Sequence, residues 1–128
     1  MANDHEWPVI YAYTRRQAIE DGVLIDVTEQ ARQTGFRIPV AVTDHLFNGY
    51  IEPPDGLDGY GQSITGRLHD VFFLAYCGAR KAGGADRIEY DIAFQMSPEK
   101  SETVRVIAVV GPGDAGEPVL TIMLPGDD

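Results

Sequence analysis

The stretch TGRLHDVFFLAYCGARK, residues 65–81, constrains the fold more than any other part of the chain. Leu68, Val71, Phe72, Ala75, Tyr76 and Ala79 recur at helical spacing and form one apolar face. Phe73 and Leu74 widen that face, so the spacing predicts a central helix over about 65–82, covered on more than one side. Thr65 is the expected N-cap. Arg80 and Lys81 fall in the last turn, where the helix dipole favours cations, and Gly83-Gly84 supplies a left-handed stop.

Three strand patterns follow without interruption. Residues 86–96 (DRIEYDIAFQM) alternate, with Ile88, Tyr90, Ile92, Phe94 and Met96 on one side. Residues 103–110 (TVRVIAVV) are apolar enough for a central strand, and 119–124 (VLTIML) form a third. The short connections SPEKSE and GPGDAGEP favour an antiparallel meander. The expected class is α+β: short N-terminal strand and helix elements, then one helix packed on a three-stranded antiparallel meander. A chain of 128 residues makes a single domain.

The N-terminal half is choppier. Residues 1–8 read as a polar arm and 9–13 (VIYAY) as a short strand. Thr14 and Gln17 have capping-box spacing for a two-turn helix that stops at Gly22. Arg15-Arg16 reads as a solvated helix start, and Glu20, Asp21 and Asp26 as exposed acids. Residues 23–27 (VLIDV) suit a strand or a buried connector. Thr28 opens a second short helix that ends at Gly35. Residues 36–42 (FRIPVAV) read as extended, and Pro39 assigns them to an edge or a bulge because it cannot donate to a ladder. Thr43-Asp44 caps a further helical turn.

Residues 52–66 (EPPDGLDGYGQSITG) hold two prolines and four glycines, too many for a regular element. A long surface loop is expected there, of the kind that often carries function. No Lys or Arg lies between Arg37 and Arg67, whereas Asp44, Glu52, Asp55 and Asp58 all do. Tyr50 and Tyr60 are the candidate anchors of a contact loop, since tyrosine is enriched in interfaces. Asp114 and Glu117 form a second acidic patch, because the chain after Arg105 also lacks bases. This turn and the acidic tail are expected to add to one negative surface.

The formal charge of −10, from 20 acids and 10 bases, argues against direct contact with a nucleic-acid backbone, which needs a basic face. It suits a soluble protein, or an acidic surface that meets a basic partner. The polar start MANDHEWP lacks the apolar core of a signal peptide, and the longest apolar runs fall short of a membrane span. The expected location is the cytoplasm.

Catalytic constellations are missing from the sequence. His5, His45 and His69 have no metal-ligand spacing, and the single cysteine, Cys77, permits neither an internal disulfide nor a cysteine-based zinc site. Cys77 is expected to be a small buried hydrophobe. His69 and Cys77 stand eight residues apart on one helix, about 12 Å along its axis and too far to hydrogen bond. No GxSxG, P-loop or GxGxxG follows a strand. No catalytic residue, cofactor or metal is expected.

The runs IYAYTRRQAIEDGVLIDVT, GRLHDV and GPGDAGEPVLTIMLP span most of the chain. Through them the chain resembles a family of small uncharacterised bacterial proteins, a domain of unknown function carried on plasmids, phages and integrated elements. That resemblance implies no catalytic group. Its setting implies an anti-defence protein, such as an anti-CRISPR or anti-restriction inhibitor that imitates the charge of DNA. The expected partner is the basic surface of a nucleic-acid-handling host complex, most concretely a CRISPR effector. The alternatives are a homodimeric plasmid or phage accessory protein and a small enzyme with a pocket invisible in sequence.

Overall fold

The computed structural model describes residues 13–127. The expected arm at 1–8 and nearly all of the strand at 9–13 lie outside the described residues. Among these residues the helices are α1 (Arg15–Glu20), α2 (Thr28–Thr34), α3 (Asp44–Leu46) and α4 (Ile64–Lys81), with a π-helical turn at Phe47–Ile51. The strands are β1 (Leu24–Asp26), β2 (Val40–Thr43), β3 (Arg87–Ser97), β4 (Lys100–Pro112) and β5 (Pro118–Met123).

The class is α+β as expected, but the sheet has five strands rather than three, in the order β1-β2-β5-β4-β3. The meander β3-β4-β5 is antiparallel, and so is β1 with β2. The two units join through a parallel pairing of β2 with β5, Val40 opposite Leu120 and Val42 opposite Ile122. Pro39 therefore does not mark an edge. It stands just before β2, and its carbonyl accepts from the Leu120 N–H at 2.9 Å. Its missing N–H costs nothing because the ladder starts one residue later.

Strand alternation divides the sheet into two faces. Val40, Val42, Leu120, Ile122, Val106, Ile92 and Phe94 point inward and pack with α2 and α4 through Ala31, Leu68, Val71, Phe72 and Ala75. Phe72 is fully buried and meets Phe36 edge-on at 5.9 Å. The Tyr90 hydroxyl donates to the Val71 carbonyl at 2.9 Å and so satisfies a polar group beneath the helix. On the opposite face, α1 sits over Thr121. Arg15 donates to the Thr121 hydroxyl at 2.7 Å and to the Leu120 carbonyl at 2.8 Å. The expected solvated arginine pair is thus half true: Arg16 is exposed, and Arg15 is a sheet anchor.

The local signals mostly act as read. Thr14 and Gln17 form the capping box of α1. Gly35 closes α2 at φ 112°, in the region that glycine alone enters cheaply. In α4 the N-cap is Ser63, whose hydroxyl accepts from Gly66 N–H, and not Thr65. The buried stripe of α4 is Arg67, Leu68, Val71, Phe72 and Ala75. Phe73, Tyr76, Cys77 and Ala79 are exposed, contrary to expectation. The helix is covered on one side only.

Candidate functional site

The acidic loop is seated by three buried groups. Ile51 is fully buried, Leu57 is tucked beneath the loop, and Arg67 enters from α4. Arg67 is 3% exposed. Its Nε donates to Gln62 Oε1 at 3.1 Å, its Nη1 to the Tyr50 carbonyl at 2.8 Å, and its Nη2 to the Gln95 carbonyl. The register of β3 on β4 slips between Gln95 and Ser97, beside that last acceptor. The guanidinium also lies over the Phe94 ring, 5.5 Å from its centre. Burial weakens its hold on the proton, yet an arginine keeps its charge in such a site. Every described acceptor is neutral, so the charge is held by dipoles and a ring face rather than by a carboxylate.

Tyr50 forms the wall of the site. Its ring stacks on Phe94 at 5.5 Å, and its hydroxyl donates to Glu102 Oε2 at 2.6 Å. That bond raises the phenol above its ordinary pKa. Tyr50 is therefore a pillar under the loop, with one ring face already covered. Tyr60 differs: it is 50% exposed and projects from the loop.

Glu52, Asp55 and Asp58 are exposed, and Asp44 is half-buried at the start of α3. Pro53, Pro54, Asp55, Gly56, Leu57, Asp58, Gln62 and Ser63 line an open depression of about 460 Å³. Glu99 and Glu102, exposed at the β3–β4 turn, belong to the same end of the molecule, because Glu102 bonds Tyr50. The sequence marks neither glutamate as part of this site, because nothing local ties residue 102 to residue 50.

Asp114 and Glu117 lie elsewhere. They occupy the β4–β5 hairpin, beyond Pro112, whereas Glu102 stands near the start of β4. Ten residues of strand separate the two ends, about 33 Å. The Asp114 carboxylate accepts from the backbone N–H groups of Arg15 and Arg16, at 2.8 and 3.0 Å, and so caps α1 from the far end of the sequence. Those two bonds hold its pKa below the ordinary carboxylate value. Glu117 folds back on its own hairpin and accepts from Ala115 N–H at 3.0 Å.

The tail belongs to a third cluster. Asp127 accepts from the Thr43 hydroxyl at 2.7 Å and the Leu124 N–H at 3.0 Å, and bonds His45 Nδ1 at 2.8 Å. Desolvation pushes the Asp127 carboxyl up, but hydrogen bonds from His45, Thr43 and Leu124 outweigh it and hold the pKa below its usual value. His45 is raised, first by that bond and then by the charge of Asp44. The single negative surface expected from turn and tail does not form, because β5 separates residues 114–117 from Asp127.

Among the described residues no three His, Cys, Asp or Glu side chains gather where they could hold a metal ion. His69 stacks on Phe73 at 6.3 Å and lines a shallow hollow of about 180 Å³ that Cys77 does not reach. No described helix is long and apolar enough to cross a membrane.

Fold and surface together define a small acidic α+β domain with a pinned, base-free loop at one end. The chain belongs to the family of unknown function DUF6573, whose profile matches residues 2–128. No curated protein and no solved structure matches it.

Proposed function

We propose that this protein is a non-enzymatic anti-defence inhibitor that uses its acidic loop to occupy a basic surface of a nucleic-acid-handling host complex, most concretely a CRISPR effector. One observation carries the reading. Glu52, Asp55 and Asp58 stand exposed on a segment without a single base, and that segment is fastened at Ile51, Leu57 and Arg67. A fastened loop loses little conformational freedom on binding, and fixed negative charge speeds encounter with a basic groove. Tyr60 supplies an exposed aromatic anchor beside the charges. The resemblance to proteins of plasmids, phages and integrated elements supplies the biological setting, and a cytoplasmic location follows from such a target. Asp114 and Glu117 take no part in this contact, since their carboxylates serve α1 and the hairpin.

The test is capture from bacterial lysate containing CRISPR and restriction complexes, at low and high salt, with bound proteins identified by mass spectrometry. The reading expects one nucleic-acid-binding complex at low salt and its loss at high salt. Recovery of the protein alone under both conditions overturns it.

A further inference from the structure

The outer face of α4 carries a second surface, unrelated to the acidic loop. Phe73 and Tyr76 are 51% and 48% exposed, Cys77 is exposed, and no described element covers them. The two rings stand three residues apart on the longest described helix and form one contiguous exposed apolar patch with Cys77. The rings are ordered by neighbours on the helix: His69 stacks on Phe73, and the Arg80 guanidinium lies 5.8 Å from the Tyr76 centroid.

The charges along this face indicate what covers it. Gly66, Asp70, Phe73, Cys77 and Arg80 lie along one outward stripe of the helix, with Phe73 and Cys77 at its middle and opposite charges toward its two ends. Asp70 stands five residues before position 75 and Arg80 five after it, with Lys81 beside Arg80. None of the three takes part in a described ion pair. Antiparallel pairing of this face with itself, about a two-fold axis at position 75, sets Asp70 of each copy opposite Arg80 and Lys81 of the other. It also sets Phe73 opposite the small Cys77. The charges are self-complementary only in that orientation, since a parallel pairing would put like charges together at both ends.

We infer that the outer face of α4 is a two-fold dimer interface, occupied by α4 of a second copy of this chain. The interface is isologous, as closed dimers require. A dimer would carry two acidic loops, each ending beside the seam where Gly61, Gln62 and Ser63 share a hollow with His69 and Asp70.

Cys77 provides the probe. In this arrangement the two Cys77 residues stand about 6 Å apart along the helix axes and roughly 8–10 Å across them, within reach of a short bis-maleimide linker. Sedimentation velocity on the full chain over a concentration series should show a monomer–dimer equilibrium, and the linker should yield a covalent dimer. Phe73→Lys should leave only monomer and abolish cross-linking. Asp70→Lys should raise the dissociation constant roughly tenfold, the scale of losing symmetric exposed ion pairs. Adding Arg80→Asp and Lys81→Asp to that variant should restore the dimer, which a merely misfolded variant would not do. A protein that stays monomeric at every concentration overturns the inference. So does a dimer that survives Phe73→Lys, as one formed through the outer edge of β3 would.

Discussion

The Arg67 guanidinium donates to the Tyr50 carbonyl at 2.8 Å, across the gap between α4 and the π-helical turn. The same group reaches Gln62 and Gln95, so one side chain joins the helix, the loop and the edge strand. Truncation would leave two backbone carbonyls without their donor. Arg67→Ala is expected to lower unfolding free energy by about 2–4 kcal/mol, read by urea denaturation. Loop amides over 52–63 should lose hydrogen-exchange protection first. Arg67→Lys should recover only part of the loss, because an ammonium cannot span three acceptors set in a fork.

Reversing the loop charges separates function from folding. The Asp55→Lys, Asp58→Lys variant changes two exposed side chains with no described hydrogen-bond partner, so its circular dichroism and melting midpoint should match the parent. Its affinity for the captured host complex should fall below detection. The parent's affinity should weaken steadily as salt rises, because exposed charges are screened over about 8 Å at physiological ionic strength. Unchanged affinity in the double variant would remove the loop from the contact.

Asp114 makes the acid limb of stability predictable. Its folded pKa lies below the ordinary aspartate value of 3.8. Its contribution is therefore present above that value and is lost as pH falls through the lower, folded one. Asp114→Asn should flatten the loss of stability below pH 4 and fray α1, visible as faster exchange at Arg15 and Arg16. Asp114→Lys should leave partner binding unchanged, which distinguishes a helix cap from a contact residue.

The His45–Asp127 bond has the opposite pH sense on its histidine side. The folded pKa of His45 lies above 6.5, so its contribution is complete below 6.5 and is lost as pH rises through the folded value. Asp127 is depressed, so its share is lost as pH falls through a value below 3.8. The turn at Leu124–Asp127 should thus be best protected in mildly acidic solution. NMR titration of the imidazole checks the first limb directly. His45→Gln should erase the alkaline limb and keep the acid one.

These relationships differ in how far the sequence announces them. The helix α4 and the strands β3 to β5 are legible because their period is local: every third or fourth residue, or every second. The sequence gives α4 its right phase, at Leu68, Val71, Phe72 and Ala75, but too wide a face, because Tyr76, Ala79 and Cys77 count as apolar wherever they face, while Arg67 counts as polar although it is buried. Ser63 and Thr65 are both hydroxyl residues at the head of one helix, and only backbone geometry chooses between them. The Asp114 cap acts on a residue 99 positions away, and the β2–β5 pairing joins positions 80 apart, as Val40 with Leu120. No window along the chain contains both partners of either contact. The loop's acidity was plain from composition, but its fastening was not, since Glu102, Gln95 and Gln62 look ordinary until Arg67 and Tyr50 are placed among them.

The position of β5 sets the order of events during synthesis. It lies between β2 and β4, yet it is translated after both. Without β5 nothing in the described sheet joins β1–β2 to β3–β4. The sheet can therefore become continuous only once its last-translated strand is in place.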